Sequence, residues 1–347
     1  MAARSLAVFE KQFPFDADSR QRILALLEAA TRAPSTHNSQ PWMFRVVGDA
    51  VEIFRDTNVK LPQSDAHTRY AHISIGFLLH HILVLGRFVG MHPEVSILVS
   101  GVSIARVRFS PAGTREEDIL PLAQAIFARR NQRGTFQSGK KIPEMLLEQL
   151  AQRAPEMPAE FPRVELSIVT SPASAARIGK LTKETMIRLY SRPEFRREMS
   201  SWITPTGSGR RDGIPGFSLN QPLLLSWILP SLIRRFNIGK IPGKLSAAAL
   251  ASAPAIFGFG SDQDPASWLS IGFQASHDIL TLVANGFDAS IYVASVELPE
   301  IQREATGLCG LKKSLQFLFA AGKLESSASW YTPRVPLATR LSPQLPP

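Results

Sequence analysis

Apolar residues recur along this chain in two rhythms, one of three to four positions and one of two, and their alternation marks out the elements. Ile23, Leu26, Leu27 and Ala30 fall at helical spacing behind Asp18, a capping residue. Pro34 ends that helix, because the residue before a proline is pushed out of the helical region. Residues 42–56 read as a hairpin, two runs rich in Val, Ile and Phe around Gly48-Asp49. A helix over 67–88 follows, with Ile73, Phe77, His81, Val84 and Phe88 on or near one face, then strands over 95–99 and 105–109. The second half opens with a helix over 116–130, and Pro143 starts another at its first turn, where a missing N–H costs nothing. A strand over 164–169, a helix from Ser171-Pro172 toward Tyr190, a strand over 255–259, a helix over 265–285, a short helix opened by Pro299 and a strand over 316–319 complete the regular part. Residues 191–244 break the rhythm. They hold the Gly-rich loop 206–216 and one isolated amphiphilic helix, and long irregular insertions of this kind are lids or linkers. Beyond Ser326 the chain is Pro-rich, which predicts an extended tail.

One pattern occurs twice. Ser74-Ile-Gly-Phe, with His81 and Gly90 further on, matches Ser270-Ile-Gly-Phe, with His277 and Gly286 further on, always 196 positions apart. Two unrelated amphipathic helices could coincide over a few residues. Four consecutive identities and two further matches in register favour a duplicated architecture.

Composition narrows the class. With 347 residues the chain can form two ordinary domains or one large one. Cys309 is the single cysteine, so neither an intrachain disulfide nor a thiolate metal cluster can form, which suits a reducing compartment. Residues 1–15 carry charges at Arg4, Glu10 and Lys11 and do not read as a secretory signal, so a cytoplasmic protein is expected. The apolar stretch 222–233 is interrupted by Pro230 and falls short of the roughly 20 residues that span a bilayer. A buried or lid helix is expected there, with contact to a membrane surface as the alternative. The net charge of +10 favours anionic partners, but the basic residues are dispersed and not interleaved with aromatics. A phosphorylated cofactor or anionic substrate is expected, not nucleic acid. The histidines show no metal-ligand spacing: His67, His72, His80 and His81 share a helix without a carboxylate set, and His81 and His277 read as core histidines.

Two stretches carry chemistry. Arg32-Ala-Pro-Ser-Thr-His-Asn-Ser-Gln-Pro-Trp42 is a polar loop between a helix and a strand. Taken alone it is either an ordinary turn or a ligand loop. Its hydroxyls and amides both donate and accept, which suits the edge of a flat heteroaromatic ring, and two prolines would fix its shape beforehand. Arg129-Arg130-Asn131-Gln132-Arg133 is either a solvated basic patch or a set of forked donors for a phosphate.

The first stretch resembles the flavin-contacting loop of the nitroreductase superfamily, Ala-Pro-Ser-x-x-Asn-x-Gln-Pro-Trp. The resemblance implies that Ser35, Thr36 and Asn38 lie beside the isoalloxazine ring of FMN, with Pro34 and Gln40 in the same cofactor-binding loop. The second stretch is similar to the family's Arg-Arg-Ser-x-Arg-x-Phe, whose arginines hold the FMN phosphate, a role implied here for Arg129, Arg130 and Arg133. Asn131 stands where the family often has Ser, and one extra residue precedes Phe136. Residues 290–294 align with the segment whose backbone approaches flavin N5, placing Ser290, Val293 and Ala294 there; Val293-Ala294 replaces Glu-Gly or Gly-Gly, so a Cβ stands where Gly lets a ring come close. Lys323 follows the last strand, where the family often places a basic phosphate ligand. Arg210-Arg211 are either lid cations or surface residues.

The order of the motifs is the reverse of an ordinary nitroreductase, and each half has only one of them. This is similar to the Acg branch of the superfamily, in which one chain mimics the dimer and a lid can cover the flavin. Residues 65–69, 211–215 and 286–323 also look like that branch, and the likeness covers roughly residues 18–325. It implies an α+β fold of mixed sheets flanked by helices, in two duplicated halves that form an intrachain pseudo-dimer. Residues 1–120 would bring the flavin loop, residues 121–330 the arginine motif with a lid at about 191–244, and residues 331–347 an extended tail. A monomer or a homodimer is implied, with no membrane span and no metal. The implied activity is an FMN-dependent oxidoreductase, fed by NADH or NADPH, passing hydride through flavin N5 to a small-molecule acceptor, nitroaromatic or quinone-like, with no side-chain catalyst. Two alternatives stand beside it: a lidded FMN store with little or no turnover, and a basic interaction protein with a vestigial flavin loop.

Overall fold

The computed structural model describes residues 5–110, 113–152, 157–326 and 330–342; residues 1–4 of the N-terminal segment and 327–329 and 343–347 of the Pro-rich tail lie outside the described residues. The first half runs α1 (Leu6–Gln12), α2 (Ser19–Ala30), β1 (Trp42–Val47), β2 (Ala50–Arg55), α3 (Arg69–Phe88), β3 (His92–Ser100) and β4 (Ser103–Ser110). The second runs α4 (Leu120–Ala128), α5 (Glu144–Gln152), β5 (Glu165–Val169), α6 (Pro172–Ser191), α7 (Pro193–Trp202), β6 (Ile203–Thr204), β7 (Ile214–Pro215), α8 (Leu223–Arg235) and α9 (Lys240–Ser252). It closes with β8 (Ala255–Gly260), α10 (Pro265–Ala284), β9 (Asp288–Ile291), α11 (Pro299–Leu308) and β10 (Leu315–Gly322). The caps explain where the helices start. Asp18 accepts from the Gln21 N–H at 2.8 Å, and Asp264 accepts from the Ser267 N–H at 3.0 Å ahead of Pro265. Asp65 caps α3 from four residues upstream, accepting from the N–H groups of Tyr70 at 3.0 Å and Ala71 at 2.9 Å.

The fold is α+β, and its two main sheets repeat one topology. The first has the order β1-β2-β4-β3 and the second β5-β8-β10-β9, both antiparallel throughout. A buried helix sits at the same place in each, α3 between β2 and β3 and α10 between β8 and β9. The parallel pairings are the short β6–β7 ladder and a single bridge from Leu341, in the tail, to Phe44 of β1.

The duplicated helices cross each other through their matching residues. A methyl on Gly76 would lie 2.2 Å from the Leu269 carbonyl oxygen and 2.9 Å from Gly272 Cα, while one on Gly272 would lie 1.9 Å from the Ile73 oxygen. Only two glycines let the backbones come this close. One turn further, His80 Nδ1 meets Ser276 Oγ at 2.9 Å, again a pair 196 positions apart. Contact between a residue and its own counterpart is what a two-fold axis produces, here inside one chain. Helix α3 is long and apolar enough to cross a membrane, but most of it is buried in this core.

Between β5 and β8 the second half carries an insertion that the first half lacks. It is mostly helical rather than irregular. Phe195 and Met199 give α7 a buried stripe at i, i+4 behind Pro193, and α9 packs along α6 at two glycines, Gly179 against Ala247 and Gly243 against Lys183.

Candidate functional site

The loop that follows α2 is built from backbone conformations that L-residues rarely adopt. His37, Asn38 and Gln40 have φ of 53°, 55° and 51°. Such residues cost of order 1–3 kcal/mol each unless their surroundings over-determine them. The surroundings here do so. Ser35 Oγ accepts from the Gln40 N–H at 2.9 Å, and Gln40 Nε2 donates to Asn38 O and to Arg211 O. The tail returns to the same loop: Val335 N–H donates to Gln40 Oε1, and Asn38 Nδ2 donates to Pro333 O at 3.2 Å. Arg334 spreads its fork over the carbonyls of Thr31, Arg32 and Ala33 and over Asn38 Oδ1. The loop is thus clamped by residues about 300 positions later in the chain.

Against it, the end of α4 delivers the arginines. Arg129 is buried and donates to Arg32 O at 3.0 Å, Arg130 donates to the Tyr331 hydroxyl at 2.9 Å, and the Arg133 guanidinium lies 5.4 Å from the Tyr292 ring centre. Among the described residues their partners are carbonyls, a hydroxyl and rings, not carboxylates. Burial, and then the neighbouring Arg32, pulls the Arg129 pKa down to about 10; burial, Arg129 and Arg32 pull Arg334 down to about 9. Burial also lowers Arg32, against an opposing pull from Tyr331. Buried Nε atoms of Arg129 and Arg130 have no hydrogen-bond partner. Packed cations with spare donors have the chemistry to hold an anion.

The two stretches, about a hundred residues apart in sequence, wall one cavity of about 1640 Å³. Pro34, Ser35, Thr36 and Asn38 line it, as do Arg129, Arg130 and Arg133. Val293 and Ala294 lie on the wall too, at the start of a short 3-10 turn. Three sequence-predicted residues lie off it. Gln40 is buried and fully engaged in holding the loop. Ser290 is buried with its hydroxyl on the Gln132 carbonyl, and Lys323 Nζ reaches the Gly286 carbonyl at 3.1 Å. Arg211 borders the cavity, whereas Arg210 points to Asp212 and Ser201 O.

Sequence reasoning missed a buried polar cluster on the same wall. Tyr70 donates its hydroxyl to Glu297, and Arg69 binds the same carboxylate at 2.8 Å. Tyr70 OH also lies 3.5 Å from Val293 O. Burial pushes the Glu297 carboxyl above the usual range, with Arg69 opposing, and burial pushes Tyr70 well above the usual phenol. The cluster closes a contact 227 residues apart, so no local pattern announces it. His37 was likewise passed over. Burial, then Arg133, pulls its imidazole down to about 4, and its Nε2 is buried without a partner although the residue keeps some surface. His81 is in the core as expected, with Nδ1 3.3 Å from Ala30 O. The insertion lines the cavity with apolar side chains, among them Phe195, Met199, Leu229 and Ile233. The wall thus combines cationic and apolar side chains.

No family model matches the chain. Among curated proteins it is 27% identical over 295 residues to "Putative NAD(P)H nitroreductase Rv3131" of Mycobacterium tuberculosis (strain ATCC 25618 / H37Rv), covering 81% of this chain and 77% of that protein. It is 29% identical over 201 residues to "Putative NAD(P)H nitroreductase acg" of the same strain, covering 57% of this chain and 58% of that one. A solved structure described as a putative nitroreductase from Anabaena variabilis matches 92% of this chain and 91% of its own at a TM-score of 0.50, with 9% identity, a likeness of fold alone.

Proposed function

We propose that this chain, which belongs to the nitroreductase superfamily in its Acg-like branch, binds one FMN between its halves and passes electrons from a reduced nicotinamide to a small acceptor. The residues present fit that cofactor. The orphaned Nε atoms of Arg129 and Arg130, with Arg133 beside them, suit a phosphate. Ser35, Thr36 and Asn38 suit the polar edge of a flat ring. The cavity exceeds the roughly 300–1,000 Å³ of an ordinary ligand pocket, which leaves room for a second molecule beside the first. When bound, FMN supplies hydride chemistry at its ring N5. The chain's own contribution is position and charge. The clamped loop is set before the ligand arrives, so little ordering entropy opposes binding. The first N–H groups of the turn at Ala294 have no partner within that turn, and Val293 and Ala294 lie on the cavity wall. Tyr70 holds a proton against the Glu297 carboxylate at the cavity wall, and Arg69 holds that carboxylate in place. The observation that carries the reading is the meeting of the loop and the arginine stretch on one cavity.

The reading puts the protein in the cytoplasm, where the buried Cys309, its thiol pushed up by burial to about 12, stays reduced and inert. Its test is anaerobic. FMN-loaded protein is mixed with NADH or NADPH, bleaching of the flavin absorbance is followed, and a nitroaromatic or quinone is then added. Bleaching and recovery support the reading; a flavin that neither nicotinamide reduces counts against it. A second reading, storage of FMN without turnover, draws on the lid: Arg211 O accepts from both Asn38 and Gln40, tying lid to loop. Shortening the loop 206–213 should then raise flavin reactivity several-fold, and no rise would remove this alternative.

A further inference from the structure

The lid turns an unusual surface outward. On α8 and the start of α9, Leu224 is 80% exposed, Trp227 57%, Ile228 53%, Phe236 59%, Ile241 63% and Leu245 68%. Exposed large apolar side chains are ordinary singly; a run of six on two neighbouring elements marks a contact surface. The charges around them are of one sign. Arg234, Arg235, Lys240 and Lys244 are all exposed, and no Asp or Glu occurs between Asp212 and Asp262. We propose that this face docks on an anionic lipid bilayer, with α8 lying in the interface plane and the cavity opening toward the membrane.

Three observations select this occupant. Apolar residues with a Trp among them and basic residues alongside are what an interfacial helix needs: the side chains enter the acyl boundary while the cations meet lipid phosphates. At 13 residues α8 is about 20 Å long and interrupted by Pro230, too short to span. A second copy of the chain fits worse, because a two-fold contact would set these four cations against their own counterparts with no acid on the face to answer them. The face is also continuous with the cavity. Leu225, Ile241 and Leu245 are exposed and yet line it, so the cavity reaches the surface beside α8 and α9. Resting on the proposed function, this opening would admit an amphiphilic acceptor whose aliphatic tail follows the apolar lid while its polar head reaches the arginines. The docking itself needs no flavin.

Flotation of the full chain with vesicles tests this, with and without FMN. Vesicles of phosphatidylcholine and phosphatidylglycerol at about seven to three should carry the protein up. Pure phosphatidylcholine vesicles should carry at least about tenfold less, and high salt should release it. Trp227→Ser with Leu224→Ser, and separately Arg234→Glu with Arg235→Glu, should each lower the bound fraction about tenfold with an unchanged thermal midpoint. Absence of flotation with the anionic vesicles at low salt would overturn the proposal, as would flotation indifferent to both variants. Sedimentation showing a dimer that Trp227→Ser dissolves would assign the face to a second copy instead. Flotation of flavin-free protein, or its absence, is read independently of whether FMN binds.

Discussion

The Gly76–Gly272 crossing joins the two halves, and a single methyl group tests it. In Gly76→Ala the new Cβ would stand 2.2 Å from the Leu269 oxygen and 2.9 Å from both Gly272 Cα and Phe273 N. These are backbone atoms, so no side chain can swing away. Ordinary contact begins near 3.4 Å, and α3 must retreat from α10 by about 1 Å. Overpacking of a filled core costs about 1–3 kcal/mol, and a backbone clash along two buried helices belongs at the upper end. Helix propensity returns about 1 kcal/mol, since Ala is the better helix former. A net loss of about 2 kcal/mol lowers the thermal midpoint by about 3 °C in a protein of 347 residues. Gly272→Ala, with its Cβ 1.9 Å from the Ile73 oxygen, should behave alike, and FMN affinity should fall in both variants because the cavity lies between the halves. Gly286→Ala is the control: nothing lies within 4 Å of its Cβ, and only its φ of 81° costs about 1–2 kcal/mol. Thermal unfolding and flavin titration read all three. If Gly76→Ala and Gly272→Ala left both midpoint and affinity unchanged, or if one were harmless and the other severe, the pseudo-symmetric crossing would be refuted.

Further outcomes are expected at the site. Arg334→Met removes the fork over Thr31, Arg32, Ala33 and Asn38, and FMN affinity should drop about 10–100-fold, with Arg334→Lys recovering little because one compact ammonium lacks the planar fork whose three nitrogens reach these spread acceptors. An unchanged dissociation constant by fluorescence quenching would contradict the clamp. Glu297→Ala strands Arg69 in a mostly buried site and should cost about 3 kcal/mol, whereas adding Arg69→Met should cost less than the sum, a coupling read by urea unfolding of the double-mutant cycle. Additive losses would mean the pair is not formed. His37 has a depressed pKa, so its neutral form stabilises the fold above the usual histidine value of about 6.5, and that contribution is lost as pH falls toward about 4. About 2 kcal/mol should be gone by pH 5. His37→Asn, which tolerates the left-handed backbone, should flatten the fall in thermal midpoint between pH 7.5 and 5, and an equally steep fall would show that His37 is not its source.

Much of the fold is legible because its signals are local. Asp18, Ser171 and Asp264 announce helix starts, Gly48-Asp49 a hairpin, and the repeated Ser-Ile-Gly-Phe a duplication whose glycines meet. The insertion was less readable. α7 is short and highly charged, and α9 carries Pro242 and Gly243 in its first turn, so tertiary packing on α6 rather than propensity makes it a helix. Motifs name a loop but not where each side chain turns. Gln40 belongs to the pattern, yet it is spent on the loop's own backbone and on the tail. Arg334 is the opposite case. It sits in a Pro-rich tail with no local mark, and its role exists only once the chain has come back about 300 residues to the loop.

The central claim is one anion-anchored flavin per chain, held between the halves. Calorimetric titration of the flavin-free protein with FMN and with riboflavin, which shares the ring and lacks the phosphate, tests it most directly. Two or more charge-assisted hydrogen bonds from the arginine cluster contribute about 1.5–3 kcal/mol each, so FMN should bind one per chain and riboflavin roughly a hundredfold or more weakly. Two FMN per chain, no binding, or equal affinity for the two flavins would contradict the account.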